Sequence, residues 1–81
     1  MQSPLVTIQA QEIDAAIIKN QTTVQELINR WGQPTQQQVL QDRIIVNFYH
    51  RGSTQKSRHV YINVYANKDW IVTDYNYSIV N

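Results

Sequence analysis

The hydrophobic pattern of this chain changes period part-way along. Val24, Leu27, Ile28 and Trp31 fall at i, i+3, i+4 and i+7, one apolar stripe of a two-turn helix over residues 24–31. Thr23 and Glu26 have capping-box spacing at its start. Gly32 is placed for a left-handed residue just past its end, and Pro34 prevents resumption. Upstream, Ile13, Ala16 and Ile17 share a face and predict a first helix over residues 10–19. Asn20 and Gln21 form the joint, asparagine being the non-glycine residue that best tolerates positive φ. Residues 1–9, with Pro4, read as a flexible lead-in, and residues 33–38 as a short polar linker.

From residue 44 the period drops to two. Ile44–Tyr49 is β-branched and aromatic, and His59–Tyr65 alternates cleanly, with Val60, Ile62 and Val64 on one side. Residues 50–57 read as a polar loop, 66–69 as a tight turn, and 70–79 as a last strand. Short connections between consecutive strands imply an antiparallel meander. Neither the helices nor the sheet can bury its apolar side alone. The expected fold is therefore α+β, with two short N-terminal helices on one face of a three-stranded antiparallel sheet (ααβββ). Ile44, Val46, Phe48, Val60, Ile62 and Val64 belong to the covered face. The last strand conflicts with itself: Ile71, Thr73, Tyr75, Tyr77 and Ile79 are the more apolar set, yet Trp70 and Val72 have the opposite parity. A bulge near Val72 reconciles them.

At 81 residues the chain has room for one domain, residues 10–81, and none for a separate cofactor domain. A content of 42% hydrophobic and 16% charged residues is globular. The net charge of +1 gives no global attraction to nucleic acid or membrane. Locally, residues 43–59 hold Arg43, Arg51, Lys56 and Arg58 and no acid. With no cysteine there is no disulfide, thiolate nucleophile or zinc–cysteine site. No apolar run approaches the ~20 residues that span a bilayer.

Candidate chemistry is sparse. His50 and His59 flank the polar loop, and a regular hairpin would set them facing each other. A metal site usually needs three or more ligands and no acid lies in that segment, so they read as polar strand ends. Asp42, Asp69 and Asp74 are scattered without a Ser-His-Asp order, and two glycines cannot make a phosphate-cradling loop. No catalytic, cofactor or metal residue is assigned. The basic loop of Arg51, Lys56 and Arg58 is a candidate contact for acidic partners, anionic lipid headgroups or nucleic acid, although its charges are few for strong phosphate binding. The main candidate is the uncovered sheet face, where Tyr49, Tyr61 and Tyr65 should point away from the helices, together with Ile45 and Trp70. Such amphipathic aromatics are the residues enriched at protein interfaces, and a homodimer face is one use of them.

The run Asn20-Gln21-Thr22-Thr23 … Leu27 … Trp31-Gly32-Gln33-Pro34 resembles the BamE/SmpA/OmlA family, in which Gly-x-Thr-x-x-x-x-Val-x-x-x-Leu-Gly-x-Pro forms and joins two helices. Tyr49, Val64-Tyr65, Asn67-Lys68-Asp69 and Val72 also sit where that pattern places them, so the likeness spans about residues 13–79. Thr22, Gly32 and Pro34 match, while Asn20, Leu27 and Trp31 stand in for glycine, valine and leucine. The resemblance implies a non-catalytic scaffold module of a bacterial outer-membrane assembly complex. It also implies a periplasmic location and a lipid anchor on a cysteine that this chain lacks; a native start at Met1 would imply the cytoplasm instead. The repeats of β-lactamase-inhibitory proteins look similar in architecture, which makes a secreted or mobile-element-encoded inhibitor the first alternative. A small nucleic-acid binder built on the basic hairpin is the second.

Overall fold

A computed structural model describes residues 9–51 and 59–80. The lead-in up to residue 8 and the loop residues 52–58 lie outside the described residues. Two helices, α1 (Ala10–Ala16) and α2 (Val24–Trp31), precede four strands: β1 (Gln36–Val39), β2 (Ile44–Arg51), β3 (His59–Ala66) and β4 (Val72–Val80). The strands lie in the order β1-β2-β3-β4, every neighbouring pair antiparallel. The fold is α+β, with one strand more than the expected three. The extra strand, β1, comes from the stretch expected to be a polar linker. A glutamine run has neither β propensity nor alternation, and it is strand only because β2 offers it an edge with Gln37 beside Val46 and Val39 beside Ile44.

Helix α2 forms where its pattern predicts, and its capping box closes in both directions. The Glu26 amide donates to Thr23 Oγ1 at 3.2 Å, and the Thr23 amide donates to Glu26 Oε1 at 2.9 Å. Gly32 ends the helix at φ 89° and ψ −174°, a region essentially reserved for glycine, with its N–H donating to the Ile28 carbonyl at 2.7 Å. Val24, Leu27 and Trp31 are buried, and the Trp31 ring meets Phe48 edge-on at 5.4 Å.

Helix α1 stops at Ala16, three residues short of the predicted end. The buried Thr22 hydroxyl accepts from the Ile18 N–H at 2.8 Å and donates to the Ala16 carbonyl at 3.4 Å. That side chain takes the place of the next helical turn, so Ile17 is extended and Asn20 turns the chain at φ 66°. Backbone bonds then clip the joint to the start of β4: Asn20 N–H to the Val72 carbonyl at 2.7 Å, Val72 N–H to the Thr22 carbonyl at 2.8 Å, and Val24 N–H to the Trp70 carbonyl at 2.9 Å.

The core lies between the helices and one sheet face. It contains Ile13 and Ile17 of the first helical segment, Val24, Leu27 and Trp31 of α2, and all six residues assigned to the covered face. The parity conflict of β4 is resolved by a bulge. Tyr65 pairs with Asp74 but Ala66 pairs with Val72, so Thr73 is the extra residue. Val72 is thereby buried, and Tyr75, Tyr77 and Ile79 still pack against the core from beyond the bulge.

Candidate functional site

The uncovered face follows from strand alternation and register. Tyr49 stands directly opposite Tyr61, Asn47 opposite Asn63 and Ile45 opposite Tyr65. On β4 the neighbours of these β3 residues are Ser78, Asn76 and Asp74. Three cross-strand rows result. The first is aromatic: Tyr49 and Tyr61 rings are 5.0 Å apart, His59 stacks on Tyr49 at 5.9 Å, and His59 Nδ1 is hydrogen-bonded to the Tyr49 hydroxyl at 2.6 Å. The three rings lie side by side with centroids 5.0 to 6.4 Å apart and planes within 36° of one another. Tyr49 is 37% and Tyr61 44% exposed.

The second row is a ladder of amides. Asn47 Nδ2 donates to Asn63 Oδ1 at 2.5 Å, and Asn63 Nδ2 donates to Asn76 Oδ1 at 2.8 Å. Each amide holds the next in one orientation, which fixes donors and acceptors across the centre of the face. Asparagine is depleted in strands, so a pattern search for β residues passes over these positions, although the three asparagines were visible as breaks in three apolar runs. In the third row Tyr65 is half-buried between Ile45 and Asp74.

Tyr49, Tyr61 and Tyr65 thus share one face as expected, and Trp70 is not with them. It sits in the β3–β4 turn at φ 65°, a conformation rare for so large a residue. The turn is organised by Asn67. Its carbonyl accepts from the Trp70 N–H at 2.9 Å, and its Oδ1 accepts from the Asp69 and Ile71 N–H groups at 2.9 and 3.1 Å. Trp70 thereby falls on the helix side, where with Val24, Gln25, Ile28 and Gln37 it lines a groove of about 320 Å³.

The two histidines do not face each other. His50 pairs with Val60 and Arg51 with His59, so adjacent parity sends His50 to the core side and His59 to the open face. His50 is buried, with no hydrogen-bond partner at Nε2, and burial pushes its pKa below the ordinary imidazole value. Of the basic loop, Arg51 is exposed at the end of β2, whereas Lys56 and Arg58 lie outside the described residues. Among the described residues no three His, Cys, Asp or Glu side chains gather as a metal site. No helix among them is long and apolar enough to cross a membrane.

Two tyrosines outside the sequence-based candidates have a clear structural task. Tyr75 and Tyr77 donate from their hydroxyls to the Asp14 carboxylate at 2.7 and 3.0 Å, tying α1 to β4. The hydrogen bond to Asp14 pushes the Tyr75 pKa up to about 12 and raises that of Tyr77. Lys19 lies 3.3 Å from Asp74 and over the Tyr75 ring. The Asp74 carboxyl is lowered first by the Tyr75 backbone N–H and then by Lys19. Compared with protein-family models, curated proteins and solved structures, the chain matches none.

Proposed function

We propose that this chain is a non-catalytic protein-interaction module that docks through its open sheet face and serves as a scaffold in a bacterial envelope assembly. The reading is carried by the Tyr49–His59–Tyr61 cluster beside the Asn47–Asn63–Asn76 ladder. A sheet face that only had to stay solvated would need no such rows. Rigid aromatics add contact area at low entropy cost, and prearranged amides supply directed hydrogen bonds. A net charge of +1 and few basic residues supply little of the phosphate attraction that nucleic-acid binding needs, which favours a protein partner over nucleic acid. The envelope assignment rests on the resemblance of the Asn20–Pro34 run to the BamE/SmpA/OmlA family. Two of its matching residues have defined tasks here: Thr22 ends α1 and Gly32 ends α2.

The test is affinity capture from the envelope fraction of the native host, with wild type and Tyr61→Ala side by side, followed by titration of the captured partner. Loss of a central aromatic anchor is expected to weaken binding about tenfold or more. The melting temperature should fall by less than about 8 °C, because one cross-strand pair is worth ~0.5–1 kcal/mol. Unchanged affinity with a large loss of stability would overturn the reading and make the tyrosines structural.

A further inference from the structure

Among the described residues the sheet has two edges, and they are defended unequally. The β4 edge carries the Asp74 charge and the bulge at Thr73, both of which discourage strand addition. The β1 edge is Gln36-Gln37-Gln38-Val39, with no charge and no proline, and all four residues are exposed. The Leu40 N–H donates to the Arg43 carbonyl at 2.8 Å, which sets the phase of the β1–β2 ladder. Given the register, Gln36 and Gln38 direct their backbone groups inward to Asn47 and Ile45. Gln37 and Val39 direct theirs outward, to an edge that no other strand among the described residues pairs with. Their side chains share the helix side with Val46 and Ile44, yet Val39 is 60% exposed.

We propose that β1 is a self-association edge, and that a second copy of this chain pairs with it antiparallel about a twofold axis at Gln38. This goes beyond the open-face reading and does not depend on it. The axis sets Gln37 opposite Val39 of the partner subunit, and each such pair exchanges both backbone hydrogen bonds. A twofold normal to the sheet keeps the helix sides together, so Val39 of the partner subunit arrives beside the Gln37 side chain. That side chain is one wall of the groove formed with Val24, Gln25, Ile28 and Trp70. The edge therefore brings its own apolar knob to its own groove, and an isologous contact requires such self-complementarity. An uncharged strand also meets its copy without like-charge repulsion. These features select a second copy over a foreign peptide. The dimer has one eight-stranded sheet with both open faces on the same side, which presents the Tyr49–Tyr61 surface twice and lets a multivalent partner bind by avidity.

A contact confined to one short strand and a groove is smaller than the ~800 Å² per partner of a stable interface, so the dimer forms with a dissociation constant of about 0.01–1 mM. The test is sedimentation velocity of the full chain from about 10 µM to a few mM, a range spanning that weak regime. Tryptophan emission is followed in parallel, since Trp31 is already buried at 5% exposure and Trp70, at 36%, is the one that can respond. A monomer–dimer equilibrium with a blue shift on concentration is expected. Val39→Asp and Val39→Lys should each weaken dimerisation at least ~tenfold, because a charge at each twofold-related position is repelled and desolvated. Both should keep the wild-type circular dichroism spectrum and melting curve of the dilute chain. Tyr61→Ala should dimerise as wild type does. A chain monomeric at the highest concentration overturns the proposal, as does a dimer that survives both Val39 substitutions. A dimer abolished by Tyr61→Ala overturns it too, and places self-association on the open face.

Discussion

Thr22→Val removes one hydroxyl and keeps the shape of the side chain, so it isolates the bond that ends α1. In the native chain Thr22 Oγ1 accepts from the Ile18 N–H at 2.8 Å and donates to the Ala16 carbonyl at 3.4 Å, with the residue only 7% exposed. The first bond is short and the second is weak, both are part-buried, and valine leaves both backbone groups without that partner. An unsatisfied buried backbone group costs ~1–3 kcal/mol. Because both bonds are only part-buried, the lower end of that range for each of the two groups applies, which gives about 2 kcal/mol. A domain of this size holds roughly 4–12 kcal/mol in total, so the loss is a large fraction of its stability. It corresponds to a fall in melting temperature of about 8–16 °C. The assay is thermal and urea denaturation followed by circular dichroism, with Thr22→Ser as the control. Serine keeps the hydroxyl and loses one methyl, and it should cost about 1 kcal/mol or less. If valine is as stable as wild type, or serine is as damaging as valine, the hydroxyl does not hold the α1–α2 joint and the account of where α1 stops is wrong.

The remaining predictions concern two titrating groups. His50 is buried and its folded pKa lies below the ordinary value of 6.5, so the unfolded chain takes up a proton first as the pH falls. The His50 contribution to stability should be full above pH 6.5 and decline below it until the lower folded pKa is passed, and His50→Leu should flatten the melting-temperature profile below about pH 6.5. An unchanged profile in that variant would assign the acid sensitivity elsewhere. Tyr75, held near pKa 12 by the hydrogen bond to Asp14, ionises in the folded chain only above the unfolded value of 10, so its contribution is present below pH 10 and lost as pH rises toward 12. Asp14→Asn should bring the Tyr75 phenolate transition down toward 10 in an ultraviolet titration and loosen α1, and a transition that stays in place would rule out the Asp14 clamp.

What could be read along the chain and what could not divide by the range of the forces involved. Helix α2, its capping box and the glycine stop are local, each set by atoms a few residues apart, and so Thr23, Glu26 and Gly32 are legible as written. The inner faces of β2 and β3 are nearly as plain, because alternation reports burial directly. The open face could be assigned for Tyr49, Tyr61 and Tyr65 by parity alone. Trp70 could not, since its side chain direction depends on a left-handed turn that Asn67 organises from three residues away, and no propensity assigns tryptophan to such a conformation.

The amino-acid order by itself determined the α+β class, the capped second helix, the covered face and the tyrosines opposite it, because periodicity and capping act over one or two turns. Only the tertiary structure decided that Gln36–Val39 is a strand, that α1 yields to the Thr22 hydroxyl, that Thr73 bulges and that the two histidines part to opposite faces. These outcomes depend on which backbone groups find a partner across the fold. A polar run such as the glutamines becomes β structure when a neighbouring strand satisfies its amides and carbonyls, and nothing in its own side chains records that in advance.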